Sequence, residues 1–514
     1  MNSPQIVLIS PFTDISSLSL RGISSYLKAN GFSTRMIFLS NILLSEEIDT
    51  PNWEFTYPQH IVDQVLELCE GSLLIGISVM TNYHHSMGHL TDQITSRLGI
   101  PVVWGGIHPT LRPEACLERA DFACVGEGEE ALLELATAIR DGVQTDTIRN
   151  IYTKQNGSTI KTKIRPLIQD LDSLPFQDYN LAEHYLFRRE EQRIVRMNSD
   201  LLEIYLDYGP RSLRRAQPTF QIMIARGCPY RCTFCGNQAL ASLYPGQRYL
   251  RRRSNEHAIA EIKAFKSIYP FVKAVLFSDD SFVMDDDEGI RSFCDLYTRE
   301  IDLPFRCMAT PKSITPKKME YLTEAGLFFM EVGIQTGSER INEMYQRKWS
   351  SREIVKEAVS IINRYKDHVM PLYDVILDNP FATSDDEMET LRLIIELPKP
   401  YVLQIFSLTL FPGTRLLEQA MKLGIVDDER KLYQKDYRVF RRNYLNALYV
   451  LLCRGVPPKV VRFLSHRIFL FLFDRAYFER LFLVLIAVRD WCRRCIGRIR
   501  VMVRWRHQLQ AEKR

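Results

Sequence analysis

Short apolar runs alternate with amphipathic stretches through the first 142 residues. QIVLIS (5–10), STRMIFLS (33–40), SLLIGISVM (72–80), PVVWGG (101–106) and the run that opens ADFACVGEGEE at 120 read as buried strands. Helical spacing falls over 19–31, around 58–69, over 91–99 and through the rest of 120–142, and Gly31 stands where a helix ends on a left-handed residue. Continuously apolar strands separated by helices predict a doubly wound parallel sheet covered on both faces. Such sheets bind ligands beyond the carboxyl ends of their strands, which singles out the loops at 11–17, 80–87, 105–113 and 126–130. A second run of strand–helix repeats follows, with strands at 221–225, 274–278, 304–308, 329–334, 372–377 and 403–410. Its helices fall near 254–268, 286–301, 315–325, 350–366 and 384–396, with Ser254, Thr315, Ser350 and Ser384 as N-caps. Six β/α units predict a partial barrel rather than a full eight-unit one.

Between the two runs, KQNGSTIKTK reads as a hairpin turning at Asn156-Gly157, followed by a Pro-bounded connector. From Tyr433 onward the pattern is helical, basic and aromatic. The apolar stretch 467–488 is broken by Asp474, Arg475, Glu479 and Arg480, so it offers no uncharged span long enough for a membrane helix. Its apolar bulk beside the RRCIGRIRVMVRWR run suggests an amphipathic helix instead, making the C-terminal region a candidate for peripheral membrane contact.

Composition narrows the class. Of 514 residues, 46% are hydrophobic and 25% charged, which is globular and long enough for two or three domains. The net charge of +4 is uneven. Nine basic and two acidic residues between Arg489 and Arg514 give +7, which leaves the remainder near −3. The body of the chain thus gives no reason to expect a nucleic-acid groove. Eleven cysteines and an N-terminus that reads directly as a strand point to a reducing cytoplasm.

The chemistry concentrates in QIMIARGCPYRCTFCGNQ (221–238), where Cys228, Cys232 and Cys235 follow an apolar strand as C-x3-C-x2-C. Three thiolates on one loop can hold three irons of a cubane cluster. The alternatives are a zinc site or scattered structural thiols. Structural zinc usually takes four ligands, and the only other close pair, Cys492 and Cys495, lies far off in the tail. The loop, with Phe234 before its last cysteine and Gly236-Asn237 after it, is similar to the cluster loop of the radical SAM enzymes. The GGIHPT (105–110) and VGEGE (125–129) segments resemble the cobalamin-binding domain that precedes the barrel in one large subfamily, and DLDSLPFQDY resembles its interdomain connector. Where cobalamin-dependent mutases have D-x-H-x-x-G, this chain has Asp14 and then Ser16, so the resemblance implies no histidine ligand to cobalt from that loop. His84, His85 and His89 are expected to be surface or capping residues.

The resemblance implies an α/β organisation. A cobalamin-binding-like Rossmann domain spans 1–145, a linker with the hairpin 146–215, a partial (β/α)6 radical SAM barrel 216–415, and a helical basic region 416–514. It assigns the [4Fe-4S] cluster to Cys228, Cys232 and Cys235, and S-adenosylmethionine (SAM) to Phe234, Gly236, Asp280, Gln335 and Ser338. Cobalamin falls to Ser78, Gly105, Gly106, His108, Gly126 and Glu127. The expected activity is reductive cleavage of SAM to a 5′-deoxyadenosyl radical, with an external flavodoxin- or ferredoxin-type electron donor and a small-molecule substrate. The outcome expected first is cobalamin-dependent methylation of an unactivated carbon. Cyclisation or rearrangement is the second enzyme reading, and a non-catalytic iron–sulfur electron carrier the third. Cys307, on the third barrel strand, is a further thiol that could face the barrel interior.

Overall fold

The computed structural model describes residues 5–473 apart from 13, 40–54, 189, 207–216, 434, 436–437 and 442. Five short strands form the centre of the first sheet: β1 (Ile6–Ser10), β2 (Thr34–Phe38), β3 (Leu74–Ser78), β4 (Val102–Gly105) and β5 (Phe122–Cys124). They pair in parallel in the order β5-β4-β3-β1-β2. One face packs Leu8, Met36, Leu74 and Val103 under helices Leu18–Ala29 and Glu129–Asp141. The other packs Val7, Ile9, Ile77 and Trp104 under Gln59–Cys69 and His84–Leu98. The last of these helices begins seven residues before the sequence pattern places it, because Met87, Leu90 and Ile94 are all buried on one side.

Four more strands join this sheet from the stretch read as a linker. β6 (Ile151–Gln155) and β7 (Ser158–Ile160) form the expected hairpin, and β6 pairs antiparallel with β5. β8 (His184–Arg188) runs parallel to β2, and β9 (Arg193–Arg196) closes that side. The sheet is thereby extended on both sides, with β7 and β9 as its outer strands.

The second sheet contains β10 (Thr219–Ile222), then, after the short antiparallel pair β11 (Ala225–Arg226) and β12 (Arg251–Arg252), β13 (Ala274–Phe277), β14 (Phe305–Ala309), β15 (Leu327–Gln335), β16 (Met370–Leu377) and β17 (Val402–Ser407). The six long strands are parallel in the order β10-β13-β14-β15-β16-β17, the expected partial barrel. Alternate residues such as Phe277, Met330, Val332, Tyr373 and Val375 pack outward against the helices. Cys307 belongs to that outer core, not the interior, and burial pushes its thiol well up. Ser254 and Thr315 cap their helices as predicted, but the next two caps are Ser351 and Thr383, each one residue from the serine expected.

The two domains share one apolar core, stitched by Tyr179 packed on Phe220 and Phe265. Beyond β17, helices Tyr444–Cys453, Pro458–Leu464 and Arg467–Phe473 bear out the helical reading of the tail. The segment before them straps both domains. Glu429 accepts from Arg112 Nε at 2.6 Å on the first domain, while buried Asp378 after β16 accepts from Asn446 Nδ2 at 2.7 Å and Arg441 N at 3.0 Å. No helix among the described residues is long and apolar enough to cross a membrane. Most of the proposed amphipathic stretch, and Cys492 and Cys495, lie outside the described residues.

Candidate active site between the two domains

The cysteine loop starts from a backbone clamp. Asp279, fully buried just beyond β13, accepts from Ile224 N at 2.7 Å and from Ala225 N, which fixes the exit of the first barrel strand. Burial pushes its carboxyl up to about 7. Asp279 is therefore the structural member of the Asp279-Asp280 pair. Next comes Gly227, at φ +91°, where a Cβ would stand 2.5 Å from Tyr249 O, so only glycine fits. Cys228, Cys232 and Cys235 follow, and Cys235 N bonds Cys232 O at 3.1 Å. Thr233 ties the loop to the turn beyond β15, its N–H donating to Tyr345 O at 3.2 Å and its hydroxyl to Met344 O at 2.9 Å. Burial pushes the Cys228 and Cys235 thiols up to about 11, so cluster binding must displace their protons.

Among the described residues no three His, Cys, Asp or Glu side chains converge as ligands of a single ion. A cubane requires no such convergence, because each thiolate takes a different iron. A positive charge waits beside the sulfurs: Arg347 Nη1 lies 3.7 Å from Cys232 Sγ. Its Nε is buried without a partner, as expected of a guanidinium facing an anionic group. The donor set and this charge fit a [4Fe-4S] cluster.

The residues assigned to SAM divide. Asp280 Oδ2 accepts from Asn237 Nδ2 at 2.7 Å, and Asn237 Oδ1 accepts from Tyr249 Oη at 3.1 Å, a polar chain over the loop. Burial raises the Asp280 carboxyl. Phe234 packs edge-on against Tyr345, and Gly236 opens the helix Gly236–Ser242 beside Ile107 of the first domain. Gln335 ends β15 with φ +71°, a strained conformation for a non-glycine residue at the barrel mouth. Ser338 does not face the site. It is fully enclosed, caps Glu339–Met344 and donates to Asp386 at 2.6 Å, because its turn must satisfy a helix end.

A cavity of about 440 Å³ lies between the domains. Its mouth joins the carboxyl ends of β3, β4 and β5 to the cluster loop, with Ser78, Gly105, Gly106, Gly126 and Glu127 on one side and Asn237, Tyr249 and Asp280 on the other. Leu8, Gly76, Val103 and Leu132 also line it, at the point where strand order reverses between β1 and β3. The glycines keep it open or let its walls close up. A Cβ at Gly76 would stand 2.9 Å from Leu8 Cδ2, one at Gly106 3.1 Å from Val79 O, and one at Gly126 would meet the Tyr244 hydroxyl. Glycines at the strand ends and apolar side chains beneath them leave room for a bulky, largely apolar ligand, so the residues present fit cobalamin.

His108 departs from expectation. It does not line the cavity but turns to the far side, with its ring centroid 4.9 Å from that of His84 and 4.8 Å from that of Tyr433. Burial, reinforced by His84 and Arg112, pushes it down to about 3. Ile107 and Thr110 line the cavity in its place, because a helical turn over Ile107–Leu111 carries His108 away. His84 is likewise part of an aromatic cluster with Trp104 rather than a surface group, whereas His85 is exposed. Glu127 reaches the cavity, yet its carboxylate is committed to binding the domains together. Oε1 accepts from Arg226 Nη1 at 3.0 Å and Arg251 Nη1 at 2.9 Å, and Oε2 from Ile168 N at 2.8 Å.

Arg226, Arg251, Tyr244, Tyr249 and Arg347 were not singled out from the sequence. Nothing in local spacing links Arg251 or Arg347 to the loop, since each meets it only through the fold.

Residues 4–136 match the B12 binding domain and residues 222–394 the Radical SAM superfamily. An uncharacterized methyltransferase of Pyrococcus horikoshii is 26% identical over 323 residues, 62% of this chain and 63% of that one, so the match spans less than two thirds of that relative. The cytidylyl-2-hydroxyethylphosphonate methyltransferase of Streptomyces wedmorensis is 22% identical over 466 residues, 82% of this chain and 80% of the relative. In structure, the radical SAM methyltransferase TsrM of Kitasatospora setae, solved with cobalamin and a [4Fe-4S] cluster, superposes with a TM-score of 0.63 at 16% identity, over 82% of this chain and 78% of that one. With the cluster loop, the cavity and both domain matches in agreement, the chain belongs to the radical SAM superfamily, in the group with an N-terminal B12-binding domain, and its cofactors are a [4Fe-4S] cluster, SAM and cobalamin.

Proposed function

We propose that this enzyme methylates an unactivated carbon of a small or hydrophobic substrate held at the barrel mouth. The observation that carries the reading is one cavity lined by both domains, with Gly105, Gly106 and Gly126 of the first domain on one side and, on the other, Asn237 next to the cluster cysteines and Asp280 beyond β13. When bound, the cluster and SAM supply a 5′-deoxyadenosyl radical and cobalamin supplies a methyl group; the radical chemistry belongs to the cofactors. The chain's contribution is binding, orientation and exclusion of water. Cys228, Cys232 and Cys235 hold three irons and leave the fourth for SAM. The Asp280 carboxylate, oriented by Asn237, accepts from the SAM amino group, and Gln335 presents its amide to the same ligand. The wall at Gly105, Gly106 and Gly126 would receive the corrinoid where no side chain intervenes. A low-potential flavodoxin- or ferredoxin-type protein delivers the electron. The methyltransferase names of both relatives support the transfer over other radical outcomes.

The test is anaerobic reconstitution of the full chain with iron, sulfide and methylcobalamin, followed by SAM and titanium(III) citrate. The reading expects bound corrinoid, 5′-deoxyadenosine and, with substrate, S-adenosylhomocysteine in step with a methylated product. Deoxyadenosine accompanied by a product of unchanged carbon count would replace methylation with cyclisation or rearrangement. A protein that takes up a cluster but forms no deoxyadenosine would leave only an electron carrier.

A further inference from the structure

Arg347 is an unusual cation. It is 4% exposed, and its contacts comprise a sulfur, a carbonyl and an aromatic ring but no carboxylate. Nη2 donates to Gly333 O on β15 at 2.6 Å, and the guanidinium carbon lies 4.3 Å from the centroid of the Trp349 ring. Trp349 in turn stacks on Tyr230 of the cluster loop, with centroids 3.7 Å apart and planes 13° from parallel. The stack Tyr230–Trp349–Arg347 thus fixes the guanidinium relative to the loop, and Nη1 is left 3.7 Å from Cys232 Sγ. Nε has no partner.

A buried charge without a counter-charge is several kcal/mol unfavourable. Fold stability gives no reason for it here, since a methionine of similar length would fill the space and pack on Trp349. An anion beside Nη1 removes the penalty. Resting on the reading of Cys228, Cys232 and Cys235 as cluster ligands, we infer that Arg347 is a positioning residue for the cluster's redox step: it hydrogen-bonds the Cys232 sulfur and sets the reduction potential. Hydrogen bonds to the sulfurs and net local charge are the protein's means of tuning such clusters. On reduction, one electron from the external donor adds one negative charge to the cluster with no bond made or broken. A fixed guanidinium favours that product, and so raises the potential and eases electron entry.

Two measurements on the reconstituted full-length protein test this. In the first, arginine carrying 15N in its guanidino group is incorporated and the cluster is reduced with titanium(III) citrate. Pulsed EPR is expected to show a 15N hyperfine coupling in the native sequence that disappears in Arg347→Gln. In the second, an EPR-monitored titration is expected to place Arg347→Gln at least tenfold lower in its reduction equilibrium, 59 mV for one electron, with Arg347→Lys recovering part of the shift. A reduced cluster with no nitrogen coupling in the native protein overturns the inference even if the variant fails to fold. Unchanged potentials in both variants overturn it as well. A native protein that takes up no cluster overturns the underlying reading of the loop instead, which separates the two failures.

Discussion

The two walls of the central cavity are built on opposite principles. On the first domain, what matters is the absence of side chains: Gly76, Gly105, Gly106 and Gly126 shape the wall, and the nearest histidine turns away. On the barrel, what matters is side chains with chemistry: the Asp280–Asn237–Tyr249 chain lines the cavity, and the three thiols and the Arg347 guanidinium stand in the cluster loop and turn adjoining it. One wall recognises by volume, and the other by functional groups. The first should therefore tolerate changes of polarity but not added atoms, and the second should tolerate small changes of shape but not the loss of a group.

The largest expected effect is on the barrel wall. Cys228→Ala, Cys232→Ala and Cys235→Ala should each abolish the iron–sulfur absorbance and deoxyadenosine formation while corrinoid binding persists within about twofold of the native chain, since 1.4 kcal/mol already makes tenfold. Metal analysis alongside corrinoid titration reads both. Corrinoid binding lost together with iron would show that the walls are not independent.

The converse test adds a single methyl group to the other wall. At Gly126, φ is +87° and the Tyr244 hydroxyl occupies the place a Cβ would take. Gly126→Ala should lower corrinoid affinity by about tenfold, equivalent to 1.4 kcal/mol, with iron content unchanged. A drop in iron without a loss of corrinoid would reverse the assignment of the wall.

Smaller still for corrinoid binding, although it falls on stability as well, is the effect of loosening the joint between the walls. Glu127 holds Arg226 and Arg251, and Arg251 is 4% exposed. Glu127→Gln keeps the shape but leaves the buried Arg251 guanidinium without its charge partner, while Arg226 keeps Glu129. It should destabilise the protein by about 3 kcal/mol, seen in a denaturant titration of the apoprotein, with a modest fall in corrinoid affinity as the mouth widens. An unchanged unfolding midpoint would mean that the joint is held by the shared apolar core alone.

What could be read from the sequence follows the same division. The thiols were legible because three cysteines at close spacing leave few chemical alternatives, and the six-unit barrel because its strands and helices repeat with clear periodicity. The glycine wall was legible as position, since GGIHPT and VGEGE fall at strand ends. Direction was not. Whether His108 or Ile107 faces the cavity depends on the phase of one helical turn, and Ser338 faces a helix end rather than a ligand because Asp386, 48 residues on, completes its cap. The linker strands β6 to β9 were only partly visible, because edge strands alternate weakly and gain their order from the sheet they join. Arg251 and Arg347 were invisible for a simpler reason: their partners lie 124 and 115 residues away, at Glu127 and Cys232.

The smallest effect is the sharpest test of where the first wall ends. His108 is fully buried with Nδ1 3.2 Å from Thr81 Oγ1 and Nε2 without a partner. With its ring pushed down to about 3, it is neutral at any working pH, and protonation contributes nothing there. His108→Phe loses one hydrogen bond, worth about 1 kcal/mol, and removes an unsatisfied buried nitrogen whose penalty is of similar size. Its ring can still pack edge-on against His84 and Tyr433, whose centroids lie 4.9 and 4.8 Å away. Stability should therefore stay within about 1 kcal/mol of the native chain. The visible spectrum of bound corrinoid should not move and its affinity should hold within about twofold, well inside the tenfold that 1.4 kcal/mol represents. A histidine bonded to cobalt would give the opposite result, a shifted spectrum on substitution. That outcome would return a reactive side chain to the glycine wall and undo the contrast between the two sides of the cavity.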